Sequence, residues 1–434
     1  MRKFLSDYIS LITGFIVLVL LGNTIPFLGI GWGTILGLIY FFGRKDKELF
    51  LFLVVVLIMG DSRLWYLQYF KPLRIVLILM VFFRCLGLIT SGKLKFRKVI
   101  LYTIPFFIVA IAGGFLSPNI PLSMSKMISY FCLLFAVIHL VPYFLRQDNS
   151  DLIQSLIYIS LLVLLFGLIS SIVNPRFAYL VGRYRGVLGN PNGLGIYCTL
   201  MFPIIILGLE LYPKQRGTFF IALFLMIFSL LLANSRTAIG SILIFYMLYW
   251  VQKRHSILRG GFYFFILPVG LLFLSSGGLL NVISLLGLNE YFRVESLTTG
   301  TGRYIAWAMG LEQIRLSPLI GRGFAWEEIY FHMDRIKEIL IVTEHQGGMH
   351  NSYLTFLMNN GYLGLITFLI FLFVLFGKID AQKYKLPVII TGVISSFFES
   401  WLNSSLNAFS IHFYILLMIL IEYPRLKKKL LPDK

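Results

Sequence analysis

Long apolar runs separated by short polar breaks dominate the sequence. Most approach the ~20 residues that a helix needs to cross a hydrocarbon layer. They lie near 9–27, 28–43, 49–67, 73–90, 99–116, 124–145, 152–173, 191–211, 218–233, 237–251 and 260–279, then from 351 onward, and at 387–404 and 406–422. The boundary between the first two is weak. The period-two alternation of a membrane β-barrel is absent. The pattern predicts an all-α polytopic membrane protein with about 12–14 transmembrane helices, forming a single integral-membrane domain over 1–434. The long polar interval, 280–349, is expected to be a large helical extracytoplasmic loop. Within it Trp326, Ile329, Tyr330, Met333, Ile336 and Leu340 fall on one helical face. That spacing predicts an amphipathic helix lying on the membrane surface as a lid.

Charge sets the orientation. The chain is 58% hydrophobic and carries a formal net charge of +19. Such a balance can mark a nucleic-acid binder. Here, however, 23 of the 38 Lys and Arg fall in segments that share one side, which the positive-inside rule makes cytoplasmic. Both termini then lie inside, and no nucleic-acid partner is expected. The basic start MRKFLSDYIS lacks a small-residue cleavage site and reads as a retained first helix. The three cysteines, Cys85, Cys132 and Cys198, sit far apart in apolar runs and suggest neither a disulfide frame nor a metal site. Asp61 and Arg63 fall in the outer half of the third span. Lys71, Arg74 and Lys126 stand near outer span ends, where headgroup contact is expected. Arg176, Arg183, Arg185 and Arg236 are left outside as well.

Three outer helix starts repeat one design. Arg183 and Arg185 precede Asn190-Pro191, a capping residue followed by the residue suited to a first turn. Arg236 sits in a very short turn between Ser235 and Thr237, both able to cap the next span. Asn351 or Ser352 can cap the span after His350. Each start offers unpaired N–H groups and a positive dipole end, so several of them with arginines would make an anion site. Arg303, in TGTGRYIAW, adds a donor. The bland alternative for any one arginine is snorkelling to headgroups or pairing with a loop acid. TGTGR lacks the Gly-Lys-Ser/Thr ending of a phosphate loop, which excludes a nucleotide site.

Among the six histidines, His139 and His412 lie in apolar spans and read as packing or hydrogen-bonded contacts. His255 lies in a basic break, His332 on the amphipathic segment and His345 in EHQGG. His350 stands between a glycine pair and a helix start, whose dipole favours a neutral ring able to accept a proton. The alternative is a capping or interface histidine. No HExxH or CxxC pattern supports a metal. Glu399, in SSFFESWLNSS, is an unusual acid inside an apolar span. It can bind a sugar hydroxyl, assist His350 or form a structural ion pair.

Taken together, GRYIAW (302–307), SPLIGRGF (317–324), HNSYLTFLMNNGYLG (350–364), NSRTA (234–238) and RGVLGNPNGLG (185–195) resemble the O-antigen ligase/polymerase superfamily of bacterial membrane glycosyltransferases. The resemblance covers roughly 180–420. It implies a GT-C-like membrane fold with its large periplasmic loop at 280–349. It also implies transfer of glycan from an undecaprenyl-diphosphate carrier at the outer face of the cytoplasmic membrane, inverting, without metal or nucleotide cofactor. Residue by residue, the loop histidine corresponds to His350, and the diphosphate-binding arginines to Arg236 and Arg303, with Arg185 matching less closely. Arg183, Arg322, Glu399, Asn351 and Tyr353 are further substrate-binding candidates. Expected partners are the lipid-linked glycan, membrane lipid, and a chain-length regulator and flippase of the same pathway.

Polymerase and ligase share these motifs. The number of spans, the segment ESWLNSSLN and the Lys-rich breaks favour a polymerase of capsule, exopolysaccharide or O-antigen type, with a ligase as the alternative. A flippase of lipid-linked sugars would need repeated halves and broken helices near the membrane centre. Only Asn359-Asn360-Gly361 suggests a break, ~13–16 Å along the helix from His350. It is expected to line a lipid groove or to allow close helix packing.

Overall fold

The computed structural model describes residues 6, 8–61, 67–147, 151–253, 284–285, 287, 303–342 and 348–431. Arg63, His255, His345 and the span predicted at 260–279 lie outside the described residues, as does much of the predicted loop.

A helix occupies each of the other predicted spans. In chain order these are α1 (Ile9–Thr24), α2 (Pro26–Phe42), α3 (Asp46–Met59), α4 (Phe70–Thr90), α5 (Ile104–Phe115, continuing a 3-10 turn), α6 (Ile120–Arg146) and α7 (Leu152–Val173). Then come α8 (Pro191–Leu211), α9 (Arg216–Ala233), α10 (Arg236–Gln252), the loop helices α11 (Arg303–Leu316), α12 (Trp326–Phe331) and α13 (Asp334–Val342), and α14 (Ser352–Gly377), α15 (Gln382–Phe398) and α16 (Ala408–Leu430). Among the described residues, eight helical segments are long and apolar enough to cross a membrane, and α1 and α2 are shorter apolar helices. The weak boundary between α1 and α2 is one extended residue, Ile25, followed by the helix-starting Pro26. The protein is an all-α polytopic membrane protein. Among the described residues the only sheet is a hairpin, β1 (Tyr179–Leu180) with β2 (Arg183–Tyr184).

The most buried helices are α6, α8 and α16. Around them, α10 packs along α15 and α5 along α14. Charged side chains form two layers at opposite helix ends. At one end, Glu422 accepts from Arg97 and Arg146, and Glu210 accepts from Lys383, Tyr384 and Tyr423. Arg74 and Lys126 belong to the other end, and headgroup contact does not account for them. The Arg74 guanidinium donates to the Leu406 carbonyl, and Lys126 pairs with Glu328 of the loop. A cation buried in an apolar bundle is tolerated when partnered in this way. His139 and His412 are packing residues, each bonded to the carbonyl one turn earlier, Phe135 and Ala408.

α14 is broken, and the loop repairs it. Gly361 has φ +64°, ψ −172° inside the helix, leaving backbone groups unpaired where water is scarce. The segment Ser317–Phe324 fits the notch. Tyr362 N donates to Pro318 O at 2.7 Å, Leu363 N to Leu319 O at 3.0 Å, and Gly323 N to Asn359 O at 2.9 Å. The Asn359 side chain completes the joint, donating to Phe324 O and accepting from Glu327 N. So the NNG triplet receives the loop's SPLIGRGF motif, where its sequence suggested a lipid groove or close helix packing.

The predicted amphipathic lid is corrected here. The segment forms two helices, α12 and α13, not one. Trp326, Tyr330 and Phe331 are buried against Ala306 and Ile314 of α11 and Met358 of α14, with Ile329 and Ile336 packed beside them. Four residues of the predicted face, Trp326, Ile329, Tyr330 and Ile336, belong to a small core of the loop, whereas Met333 is exposed. The last two spans are also interrupted. Helix ends at Phe398 and resumes at Ala408, because Asn407 caps α16 by accepting from Phe409 N and Ser410 N.

Gly361→Ala should be strongly destabilising. A Cβ would collide with the Leu319 carbonyl at a backbone angle L-residues avoid, and the backbone strain alone costs about 1–3 kcal/mol. Thermal unfolding of the purified protein should show a drop of several degrees; an unchanged midpoint would refute the joint.

Candidate active site

Three distant stretches converge on one carboxylate. Glu399 follows α15 with extended backbone. Its Oε2 lies 2.9 Å from His350 Nδ1. Its Oε1 accepts from Asn192 Nδ2 at 2.8 Å and from Arg303 Nη2 at 3.2 Å. Asn192 is in the first turn of α8, Arg303 is the first residue of α11, and His350 directly precedes the cap of α14. The cluster is partly enclosed: the Glu399, Arg303 and His350 side chains are 13%, 20% and 26% exposed.

Local structure makes the convergence rigid. Ser352 Oγ donates to Glu399 O at 2.7 Å, and Asn351 N donates to Ser400 Oγ at 2.9 Å. Thr355 and Ser400 share a hydroxyl contact at 2.9 Å. The HNSYLT and ESWL motifs are thus one stitched unit. His350 has φ +46°, a left-handed conformation uncommon for a residue with a side chain. Its predecessor holds it there. Met349 N donates to Glu327 Oε1 at 2.8 Å, Met349 O accepts from Trp307 Nε1 at 2.8 Å, and the Met349 side chain fills the space left by Gly310.

Electrostatics reverses one expectation. Burial works against charge on both groups. The attraction of Glu399 outweighs it for His350, holding the ring above the usual imidazole range. For Glu399, His350 and then Arg303 outweigh burial and hold the carboxyl below the usual range. The helix dipole was expected to keep His350 neutral, but a full charge at 2.9 Å prevails over the roughly half charge of a helix end. Between the two pKa values the pair is ionised and stabilises the fold. Its contribution is lost as pH rises through the raised His350 pKa, and again as pH falls through the lowered Glu399 pKa.

The predicted arginines divide. Arg183 donates to Ala233 O, Asn234 O and Asn192 Oδ1 at 3.0–3.1 Å. It ties the turn before α10 to the amide that holds Glu399. Arg236 begins α10, half-buried, between Ser235 and Thr237. Those two residues line a cleft of about 10 Å³ with Asn192, Thr199, Ser395 and Glu399. The expected Ser235 or Thr237 cap does not form: α10 starts without a side-chain cap, whereas Asn190 and Asn351 cap α8 and α14. Arg185 is placed elsewhere. It is 4% exposed and donates to Phe177 O and Gly189 O, fixing its own loop. Asp61 holds the same loop through Gly189 N.

The other candidates lie around the cluster. Asn351 is a buried cap, 2% exposed. Arg322 lies over the Trp326 ring, 5.3 Å from its centroid, apart from the carboxylate. Tyr353 hydrogen-bonds Ser396 Oγ at 2.9 Å, at the rim of an apolar groove of about 480 Å³ between α14 and α15. His332 is exposed and bonded to Glu328 O. Asn192 is a site residue whose sequence signal is only its place two residues after the cap Asn190.

Glu399→Gln removes the charge and keeps the shape. The His350 ring should then titrate at lower pH than in the wild type, as followed by NMR of labelled imidazole. An unchanged titration would exclude Glu399 as the cause of the raised pKa.

Residues 221–369 match the family described as O-antigen ligase, which takes in Arg236, Arg303, Arg322 and His350. Over 360 residues, 81% of this chain, the sequence is 23% identical to the ComP-specific O-oligosaccharyltransferase of Acinetobacter baylyi. The alignment spans 61% of that protein's length. The helical membrane fold, the matched segment and this relative together support a place for the chain in the O-antigen ligase/polymerase-like superfamily.

Proposed function

We propose that this protein is a glycosyltransferase that moves glycan from an undecaprenyl-diphosphate carrier to the sugar end of a lipid-linked acceptor. It would work at the outer face of the cytoplasmic membrane, as a polymerase. The observation that carries the reading is the meeting of His350, Arg303 and Glu399 beside the uncapped start of α10. Depth supports it. α10 and α15 have 17 residues each, so the cluster stands about 25 Å from their far ends. That is close to the edge of a ~30 Å hydrocarbon layer, where lipid phosphates lie.

His350 Nδ1 is engaged by Glu399, so in the neutral form of the ring, which gains population as pH rises toward its raised pKa, Nε2 would take the proton of the acceptor hydroxyl. The hydroxyl oxygen forms its bond to the anomeric carbon as the bond from that carbon to the diphosphate oxygen breaks, with inversion. The lipid diphosphate leaves with the bonding pair. Arg303, Arg236 and the N-terminal end of α10 would be the donors to that charge. Glu399 stabilises the imidazolium while it exists. The cleft beside Glu399 has room for no more than about one water.

The groove rimmed by Tyr353 suits the carrier's tail. A second apolar groove, about 540 Å³, lies between α1, α3 and α7. Two grooves fit an enzyme with two lipid-linked substrates, which favours polymerase. The relative's name favours a second reading, transfer to an acceptor of another kind.

Reconstitution with lipid-linked repeat units should give elongated lipid-linked glycan. His350→Ala should lower the rate by about 10²–10⁴-fold, and Arg303→Ala should also lose most activity. Full activity in both variants would sink the mechanism. Transfer only to a lipid A-type or protein acceptor would replace polymerase by the second reading, and lipid movement without bond formation would make the protein a flippase.

A further inference from the structure

The residues beside Arg303 and Glu399 that this chemistry does not use are aromatic. Tyr304 follows Arg303, Trp307 is one turn further along α11, and Phe397 precedes Glu399 by two residues. The three rings form a row. Tyr304 and Trp307 have centroids 5.8 Å apart at 90°, and Trp307 and Phe397 are 5.9 Å apart at 76°. The middle ring is fastened to the reacting segment, since Trp307 Nε1 donates to the carbonyl of Met349, next to His350. The outer two stay open, Tyr304 at 59% and Phe397 at 44% exposure. On the groove side of the row, Tyr353 and Ser396 rim the apolar channel between α14 and α15.

We propose that Tyr304, Trp307 and Phe397 form a ledge against which a pyranose ring of the glycan packs, beside the bond being made. A sugar presents C–H faces to aromatic rings and hydroxyls at its edge. The ledge supplies the first surface, and Arg303, His350 and Glu399 supply polar partners within the same site. Open aromatics at an interface can instead serve only as membrane anchors. Two features favour the sugar. Phe397 lies in sequence between the groove-lining Ser396 and Glu399 of the ion cluster, and the central ring is bonded to the carbonyl of Met349, next to His350, so the geometry of the row is tied to that segment. This inference rests on the glycosyltransferase reading.

The test uses full-length protein in nanodiscs and two probes. One is the repeat-unit oligosaccharide released by mild acid from the source cell's lipid carrier; the other is the same unit still bearing its diphosphate on a short polyprenyl tail. Saturation-transfer NMR should detect contact with sugar C–H protons in the wild type. Tyr304→Leu should weaken binding by about 3- to 10-fold, and Tyr304→Trp should restore it. Phe397→Leu is the independent variant should Tyr304→Leu fail to fold. Binding of the released oligosaccharide places an acceptor sugar on the ledge; binding of the diphosphate form alone places the donor sugar there. Equal affinity of wild type and both leucine variants for both probes overturns the ledge, as does a tryptophan variant as weak as leucine. If the wild type binds sugar but makes no glycosidic bond in reconstitution, the function fails and the ledge stands; if transfer proceeds and the leucine variants keep wild-type KM, the ledge alone fails.

Discussion

One carboxylate holds this site together. Glu399 is the shared acceptor for an arginine from the loop, a histidine before α14 and an amide from α8. Those groups lie on elements far apart in sequence, and each is partly withdrawn from water. A charge so placed is tolerated only while it is partnered, and removing one partner leaves the others exposed to the full desolvation cost. The carboxylate therefore sets the relative positions of His350 and Arg303, and its charge raises the histidine's proton affinity.

The loop reaches that carboxylate because it is anchored inside the bundle. A loop of this length would ordinarily wander over the surface. Here its SPLIGRGF segment replaces the hydrogen bonds that α14 loses at Gly361. α12 and α13 then cover α11 with a small apolar core, and Glu327 and Trp307 grip Met349 from two sides. Arg303 and His350, at opposite ends of the interval, are brought to one point by the same packing.

Much of this was legible in the sequence, for physical reasons. Burial in lipid writes a long apolar run, so the spans stand out. Asn190-Pro191 and Asn351 announced helix starts, and the left-over arginines stood near them. Other features write no such signal. The pairing of Glu399 with His350 spans 49 residues and depends on how α14 and α15 lie together. Asn192 looks like any turn residue. The period of Trp326, Ile329 and Tyr330 revealed an apolar face but not what covers it, and the loop's own core does. Arg185 resembled a ligand-binding arginine, yet its guanidinium is spent on backbone carbonyls. Local sequence reports a side chain's chemistry, and the tertiary neighbour decides how that chemistry is used.

The joint at Gly361 also defines what can be exchanged between proteins of this kind. The interval 280–349 looks like a module that could be cut at its two helix borders and replaced. Its backbone, however, completes a membrane helix beyond the cut, and that helix is stitched in turn to Ser400 and Glu399. A chimera that swaps the loop alone would join mismatched halves of one hydrogen-bonded joint. The unit that keeps this joint whole runs from Arg303 to Leu402.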